Sequence, residues 1–159
     1  MTEQTQTNNN DVYFMQRAIA LAQKAAELGE VPIGAVIVKN GEIIARAQNQ
    51  KEGKNCAVYH AEIMAIIKAS KKLGWRLDGC EMYVTLEPCA MCQGAIVSSR
   101  IKRLVFGMYE PKSGACESNN AILTQSGLNH KVQVVGGVLI EECKKTWQSF
   151  VFTREKTVK

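Results

Sequence analysis

Apolar residues recur along the first third of the chain in two rhythms. Met15, Ala18, Ile19, Ala22 and Ala25 repeat at three- and four-residue spacing, which places them on one face of a helix. Asn10 or Asp11 is suited to start that helix as its N-cap, and Gly29 to stop it. Ile33-Gly34-Ala35-Val36-Ile37-Val38 is then a nearly continuous apolar strand. Asn40-Gly41 favours a two-residue hairpin turn, so Glu42 to Ala47 reads as the returning strand.

The helical rhythm returns after a polar loop from Gln48 to Asn55. His60 through Leu73 carries Ile63, Ile66, Ile67 and Ala69 on a broad apolar face. Glu81 to Leu86 reads as a strand, Cys89 to Ser98 as a helix, and Arg103 to Gly107 as a fourth strand. Tyr109 to Asn120, with Pro111 and Gly114, reads as a loop. Val132 to Val135 is the fifth strand and Leu139 to Phe152 the closing helix. Strands alternating with helices imply an α/β protein, a three-layer α/β/α sandwich around one five-stranded sheet. No repeat or linker interrupts the pattern. The expected division is a flexible tail over 1–10, a single domain over 11–153, and a basic tail over 154–159.

Composition narrows the picture. A chain of 159 residues can bury one continuous core. No apolar run approaches the roughly 20 residues of a membrane span, so no membrane role is expected. The start of the chain lacks the basic and apolar regions of a secretory signal, which points to the cytoplasm. Without export, the six cysteines are expected to bind metal or pack rather than form disulfides. A formal net charge of +5 is compatible with a nucleic-acid partner but does not require one.

Two segments carry candidate chemistry: Tyr59-His60-Ala61-Glu62-Ile63 and Glu87-Pro88-Cys89-Ala90-Met91-Cys92. Each follows a loop and opens a helix. Cysteines three apart in a first turn lie on one face, so both sulfurs can reach one ion at ~2.3 Å. The helix N-terminus also favours the thiolate. His60 adds a nitrogen donor, and three protein ligands leave one tetrahedral position for water, the mark of a catalytic zinc. Side chains of a first turn tilt back toward the N-terminus, so Glu62 can face the same ion without ligating it and serve as its proton carrier. Taken singly, these residues have plainer readings. Cys-x-x-Cys is often incidental, His60 a satisfied polar residue, and Glu62 a first-turn acid favoured by the helix dipole. A structural four-ligand zinc would recruit Cys56 or Cys80.

His-x-Glu together with Pro-Cys-x-x-Cys is the known signature of the zinc deaminases. At these residues the chain resembles the cytidine and deoxycytidylate deaminase superfamily, and more closely the bacterial tRNA-specific adenosine deaminases. The resemblance runs from about Tyr13 to Phe150. It includes Gly29-Glu30-Val31-Pro32-Ile33-Gly34-Ala35, His60-Ala61-Glu62-Ile63-Met64-Ala65, Tyr83-Val84-Thr85-Leu86-Glu87-Pro88-Cys89 and Leu128-Asn129-His130. It implies a cytidine deaminase-like fold with a mixed sheet, a homodimer and one Zn2+ per subunit. It implies hydrolytic deamination of a flipped-out base, wobble adenosine to inosine in a tRNA anticodon loop. Glu62 would move the protons and His60, Cys89 and Cys92 would hold the metal. Asn49 and the backbone N–H of Ala61 would orient the base.

Departures from that family fall where a substrate would lie. Cys56-Ala57-Val58-Tyr59 stands where Asp-Pro-Thr-Ala is usual. Glu110, followed by Pro111, replaces an aspartate that touches the anticodon, and is the remaining substrate-binding candidate. The last helix has Thr146-Trp147 and Phe150-Val151 in place of paired leucines and phenylalanines. Lys112, Arg154 and Lys156 are candidates for phosphate contact, and Tyr59 or Phe152 for stacking. Trp147 and Phe150 suit core packing, as do Cys80, Cys116 and Cys143. His130 matches the family without a derivable role. Two alternatives stay open: a deaminase of a free base or nucleoside of guanine, cytosine or adenine type, and a non-catalytic RNA-binding subunit stabilised by zinc.

Overall fold

The computed structural model describes residues 9–118 and 130–157. Most of the expected N-terminal tail, positions 119–120 of the expected loop, Leu128, Asn129 and residues 158–159 lie outside it. The described elements run α1 (Asn9–Glu27), β1 (Gly34–Lys39), β2 (Glu42–Gln48), α2 (Ala61–Leu73), β3 (Cys80–Leu86), α3 (Ala90–Ser98), β4 (Arg103–Met108), β5 (Gln133–Val135) and α4 (Ile140–Thr157). The five strands form one sheet in the order β2-β1-β3-β4-β5. β1 pairs antiparallel with both β2 and β3, while β3, β4 and β5 run parallel, so the sheet is mixed as expected.

Apolar patterning explains the layers. β1 is apolar and buried from Gly34 to Val38 because both of its faces are covered. Ala35 and Ile37 point into a core shared with Ala61, Ala65 and Ala69 of α2 and Ile96 of α3. Val36 and Val38 point the other way, against Phe14, Met15, Ala18 and Ile19 of α1 and Cys143 of α4. Each fully buried aliphatic or aromatic side chain contributes about 1.5–3 kcal/mol to that assembly. The hairpin between β1 and β2 turns on Asn40 (φ 51°) and Gly41 (φ 78°), the two left-handed residues that a type I′ turn demands. No helix among the described residues is long and apolar enough to cross a membrane.

Sequence and structure part company in two places. The closing helix continues to Thr157, past the expected end at Phe152 and into the expected basic tail. Thr153 to Thr157 contains no Gly or Pro, so nothing there breaks the helix. Asp11 does not act as an exposed cap. It is fully buried and receives both guanidinium arms of Arg103, at 2.7 Å each. Tyr83 donates its hydroxyl to Asp11 at 2.8 Å, and Glu81 sits 3.0 Å from Arg103. Burial and the bond to Asp11 push the Tyr83 hydroxyl up, and the same aspartate raises Arg103. Breaking a buried pair of this kind costs about 3–5 kcal/mol.

Candidate metal centre

Parallel pairing sets where the candidate residues emerge. β3 ends at Leu86, and Glu87 continues its register by donating its N–H to Met108 at 2.8 Å. Pro88 and Cys89 then turn the chain into α3. On the other side of α2 the chain arrives through Val58 and Tyr59. His60 and Cys89 play the same local part. Each is the extended N-cap residue of its helix (ψ 152° and 175°). Each carbonyl accepts the first helical hydrogen bond, from Met64 and Gln93. Neither side chain caps its helix, so both are free to face one another.

Cys92 lies three residues into the cysteine motif, on the face that Cys89 also presents. The His60 Nδ1 atom is 3.8 Å from Cys89 Sγ and 3.5 Å from Cys92 Sγ, and all three donor atoms lie within 4.8 Å of one another. Tetrahedral coordination with sulfur at ~2.3 Å and nitrogen at ~2.05 Å gives a donor–donor edge of ~3.6 Å. The observed spacings match that edge. Hydrogen bonds from Cys92, and next from His60, push the Cys89 thiol down to about 3. Cys92 moves the opposite way, first by its bond to Cys89 and then by burial, and the bond to Cys89 raises His60. Two sulfurs and an imidazole thus share protons that a divalent cation displaces. Among the described residues this is the cluster fit to hold a metal; Cys56 and Cys80 do not join it. Cys80, Cys116 and Cys143 are buried packing residues, as expected.

Glu62 is brought to the same place. It is 3% exposed and lies in the first turn of α2, beside His60 and Cys92. Its Oε1 has no hydrogen-bond partner, and burial raises its pKa. A buried acceptor left bare costs about 1–3 kcal/mol. A polar group from outside the chain would satisfy it. Gln93, beside Cys92 and fully buried, is likewise unpartnered at both Oε1 and Nε2.

The substrate candidates are arranged more locally. Asn49 is buried; its Oδ1 accepts from the N–H of Lys51 at 3.3 Å, and its Nδ2 donates to Val31 at 3.5 Å. That is the geometry of a loop-initiating residue, with one Nδ2 hydrogen to spare. The next residue, Gln50, donates to the carbonyl of Tyr59, tying this loop to the segment before His60. Ala61 is fully buried, and as the first residue of α2 its N–H has no acceptor within the helix. Glu110 accepts from the N–H of Lys112 at 2.9 Å, closing the turn around Pro111. Lys112 is exposed, Tyr59 half-buried, and Phe152 58% exposed. Trp147 and Phe150 are half-buried on α4. His130 gains a role: its Nε2 lies 2.7 Å from the Ile101 carbonyl, which makes that nitrogen the donor.

Sequence reading passed over one residue that builds the site. Glu87 is 2% exposed and accepts hydrogen bonds from the N–H groups of Glu110, Cys116, Glu117 and Ser118 at 2.8–3.1 Å, and from the Ser118 hydroxyl. Burial alone would raise its pKa; those donors outweigh it and hold the carboxyl below its ordinary range. The effect is to fold residues 110–118 over the cysteine motif. Ala115 donates to Pro88 at 2.9 Å, and Gly114 bridges to Cys89. A Cβ at Gly114 would stand 2.5 Å from the Glu110 carbonyl and closer still to the Glu87 carboxylate, so only glycine fits.

Known proteins arrange the same elements this way. A model of the MafB19-like deaminase family matches residues 8–144. The tRNA-specific adenosine deaminase of Bacillus subtilis (strain 168) is 52% identical over 134 residues, 84% of this chain and 83% of the relative. A solved structure from a study of A-to-I editing by tRNA:A34 deaminases at the wobble position superposes with a TM-score of 0.81. It is 43% identical and covers 84% of this chain and 98% of its own. A solved guanine deaminase from Nitrosomonas europaea, 22% identical with a TM-score of 0.73 over 87% of this chain and 83% of its own, shares the fold. By family model, sequence and fold together, the chain belongs to the MafB19-like deaminases, among the tRNA-specific adenosine deaminases.

Proposed function

We propose that this protein is a zinc-dependent hydrolytic deaminase that converts wobble adenosine to inosine in a tRNA anticodon loop, acting in the cytoplasm as a homodimer. The observation that carries the chemistry is the bare, buried Oε1 of Glu62 beside three donor atoms at tetrahedral spacing. His60, Cys89 and Cys92 would hold one Zn2+, since two thiolates and an imidazole suit zinc and leave one position open. When bound, the ion supplies a Lewis acid that brings the pKa of a water in that position toward ~7.

The chain's own residues do the rest. Glu62 takes a proton at Oε1 and, with its proton affinity raised by burial, holds it until it is handed to the ring nitrogen of the base. The water oxygen bonds to the amino-bearing ring carbon, and a second proton, carried by the same carboxylate oxygen to the amino group, lets the C–N bond break and ammonia leave. Ala61 offers its unpaired N–H, and Asn49 its remaining Nδ2 hydrogen, to orient the base. Glu110 and the fold of residues 110–118 border the anticodon. The tRNA reading draws on the curated relatives and on the solved wobble deaminase. Cys56-Ala57-Val58-Tyr59 ahead of His60 favours a second reading, a deaminase of a free base.

The deciding experiment incubates the zinc-loaded protein with an adenosine-bearing anticodon stem-loop and measures inosine and ammonia. Free adenine, adenosine, cytosine, cytidine and guanine run beside it. Inosine in the RNA alone is expected; turnover of a free base with inert RNA would replace the tRNA reading by the second one.

A further inference from the structure

Away from the cluster, cations gather along one edge of the sheet. β2 is an edge strand, so its outward carbonyls lack a strand partner. α2 crosses that edge and seals it with lysines. Lys68 Nζ donates to the Arg46 carbonyl at 2.8 Å, and Lys72 Nζ to the Ile44 carbonyl at 2.6 Å. Arg46 and Lys71 add two more charges, and all four side chains are exposed. Together with Ile44 and Ala45 they line a surface cavity of about 360 Å³ that contains no carboxylate.

Edge sealing accounts for Lys68 and Lys72, and each ammonium keeps two further hydrogens. It does not account for Arg46 or Lys71, which make no ion pair with any described residue. Four cations around one concavity repel each other unless an anion neutralises them, and two are pinned in place before it arrives. From Glu62 the groove begins six residues along α2, a rise of ~9 Å, and extends to ~15 Å at Lys72. That is the reach of a few nucleotides of backbone.

We propose that the Arg46–Lys68–Lys71–Lys72 groove binds the ribose-phosphate backbone of the RNA substrate while its target base occupies the metal centre. The inference rests on the RNA-deaminase reading and adds how the polymer is held. Contact is with phosphates, so it is independent of sequence and weakens with salt. A free base gains nothing from it.

The test uses the full zinc-loaded chain and a fluorescent anticodon stem-loop, with binding read by anisotropy from 50 to 300 mM salt. The double variant Arg46→Glu with Lys71→Glu leaves both strand-sealing lysines in place. Its affinity is expected to fall at least tenfold, with the slope of log K against log salt shallower by about 1.4, two phosphate contacts at ~0.7 each. Its kcat on saturating RNA and its thermal midpoint should not change. A control, Lys24→Glu with Lys145→Glu, reverses the same amount of charge on the opposite helical layer. Unchanged binding in the first variant, or equal weakening in the control, would overturn the groove. Binding and turnover are separate readouts. Groove-dependent binding without inosine would sink the deaminase reading alone, and inosine with unaltered binding would sink the groove alone.

Discussion

Glu62 and Glu87 are two carboxylates with nearly the same burial, 3% and 2% exposed, and opposite surroundings. Glu87 receives four backbone N–H groups and a hydroxyl, and its pKa falls. Glu62 is left with a bare oxygen, and its pKa rises. Burial is thus not what separates a scaffold acid from a reactive one; the supply of donors is. A carboxylate saturated with hydrogen bonds is held ionised and cannot move a proton. One starved of them binds a proton readily and stores, in its own desolvation, the means to release it. The protein places both against the same cysteine motif, one from within it in sequence and one from the start of α2, one fixing its shape and the other its chemistry.

Removing the cluster both acids serve is the severest test. Cys89→Ala should abolish zinc in the purified protein by elemental analysis and reduce deamination to background, with a lowered thermal midpoint, because ligand binding and folding are coupled. A full zinc complement in that variant would refute the ligand set. Next in size is Glu62→Gln, for which kcat should fall by about 10²–10⁴-fold, the usual share of a general acid–base group. Zinc content should hold, and stability should stay level or improve, since a bare buried carboxylate is replaced by a neutral amide. A large loss of stability would show Glu62 to be a scaffold acid like its counterpart.

Glu87→Gln should reverse that profile. Placing an NH2 among N–H donors should cost about 2–3 kcal/mol in urea unfolding, with kcat falling far less than in Glu62→Gln. Equal catalytic loss in the two variants would erase the distinction between them. The finest test is Ser118→Ala, which removes one of five donors to Glu87 and should cost about 1 kcal/mol with no effect on zinc content.

Much of this could be read from the chain, because short-range patterns dictated it. The hairpin followed from Asn40-Gly41, and α1 from apolar spacing that the structure buries at Met15, Ala18, Ile19, Ala22 and Ala25. The cluster followed from two motifs whose geometry is local to two helix starts. What the sequence hid was set by partners far away. Asp11 looks like a cap until Arg103 arrives from the other side of the fold. Glu87 stands inside the recognised motif, yet its partners are backbone N–H groups of residues 110–118, which no side-chain pattern advertises. Gln93 is fully buried in a mostly apolar helix, and nothing in its local sequence announces it. Helix α4 outran its expected end because the apolar rhythm stops while the backbone has no reason to.

The Asp11–Arg103 pair also has a consequence in time. The two residues are 92 positions apart, so a ribosome working at roughly 5–20 residues per second needs about 5–20 s to deliver the arginine after the aspartate. Until β4 is laid into the sheet, the Asp11 carboxylate near the start of α1 therefore has no guanidinium to meet. Helix α1 can pack on β1 and β3 before then, but its buried ion pair closes only after the strand that carries Arg103 has emerged.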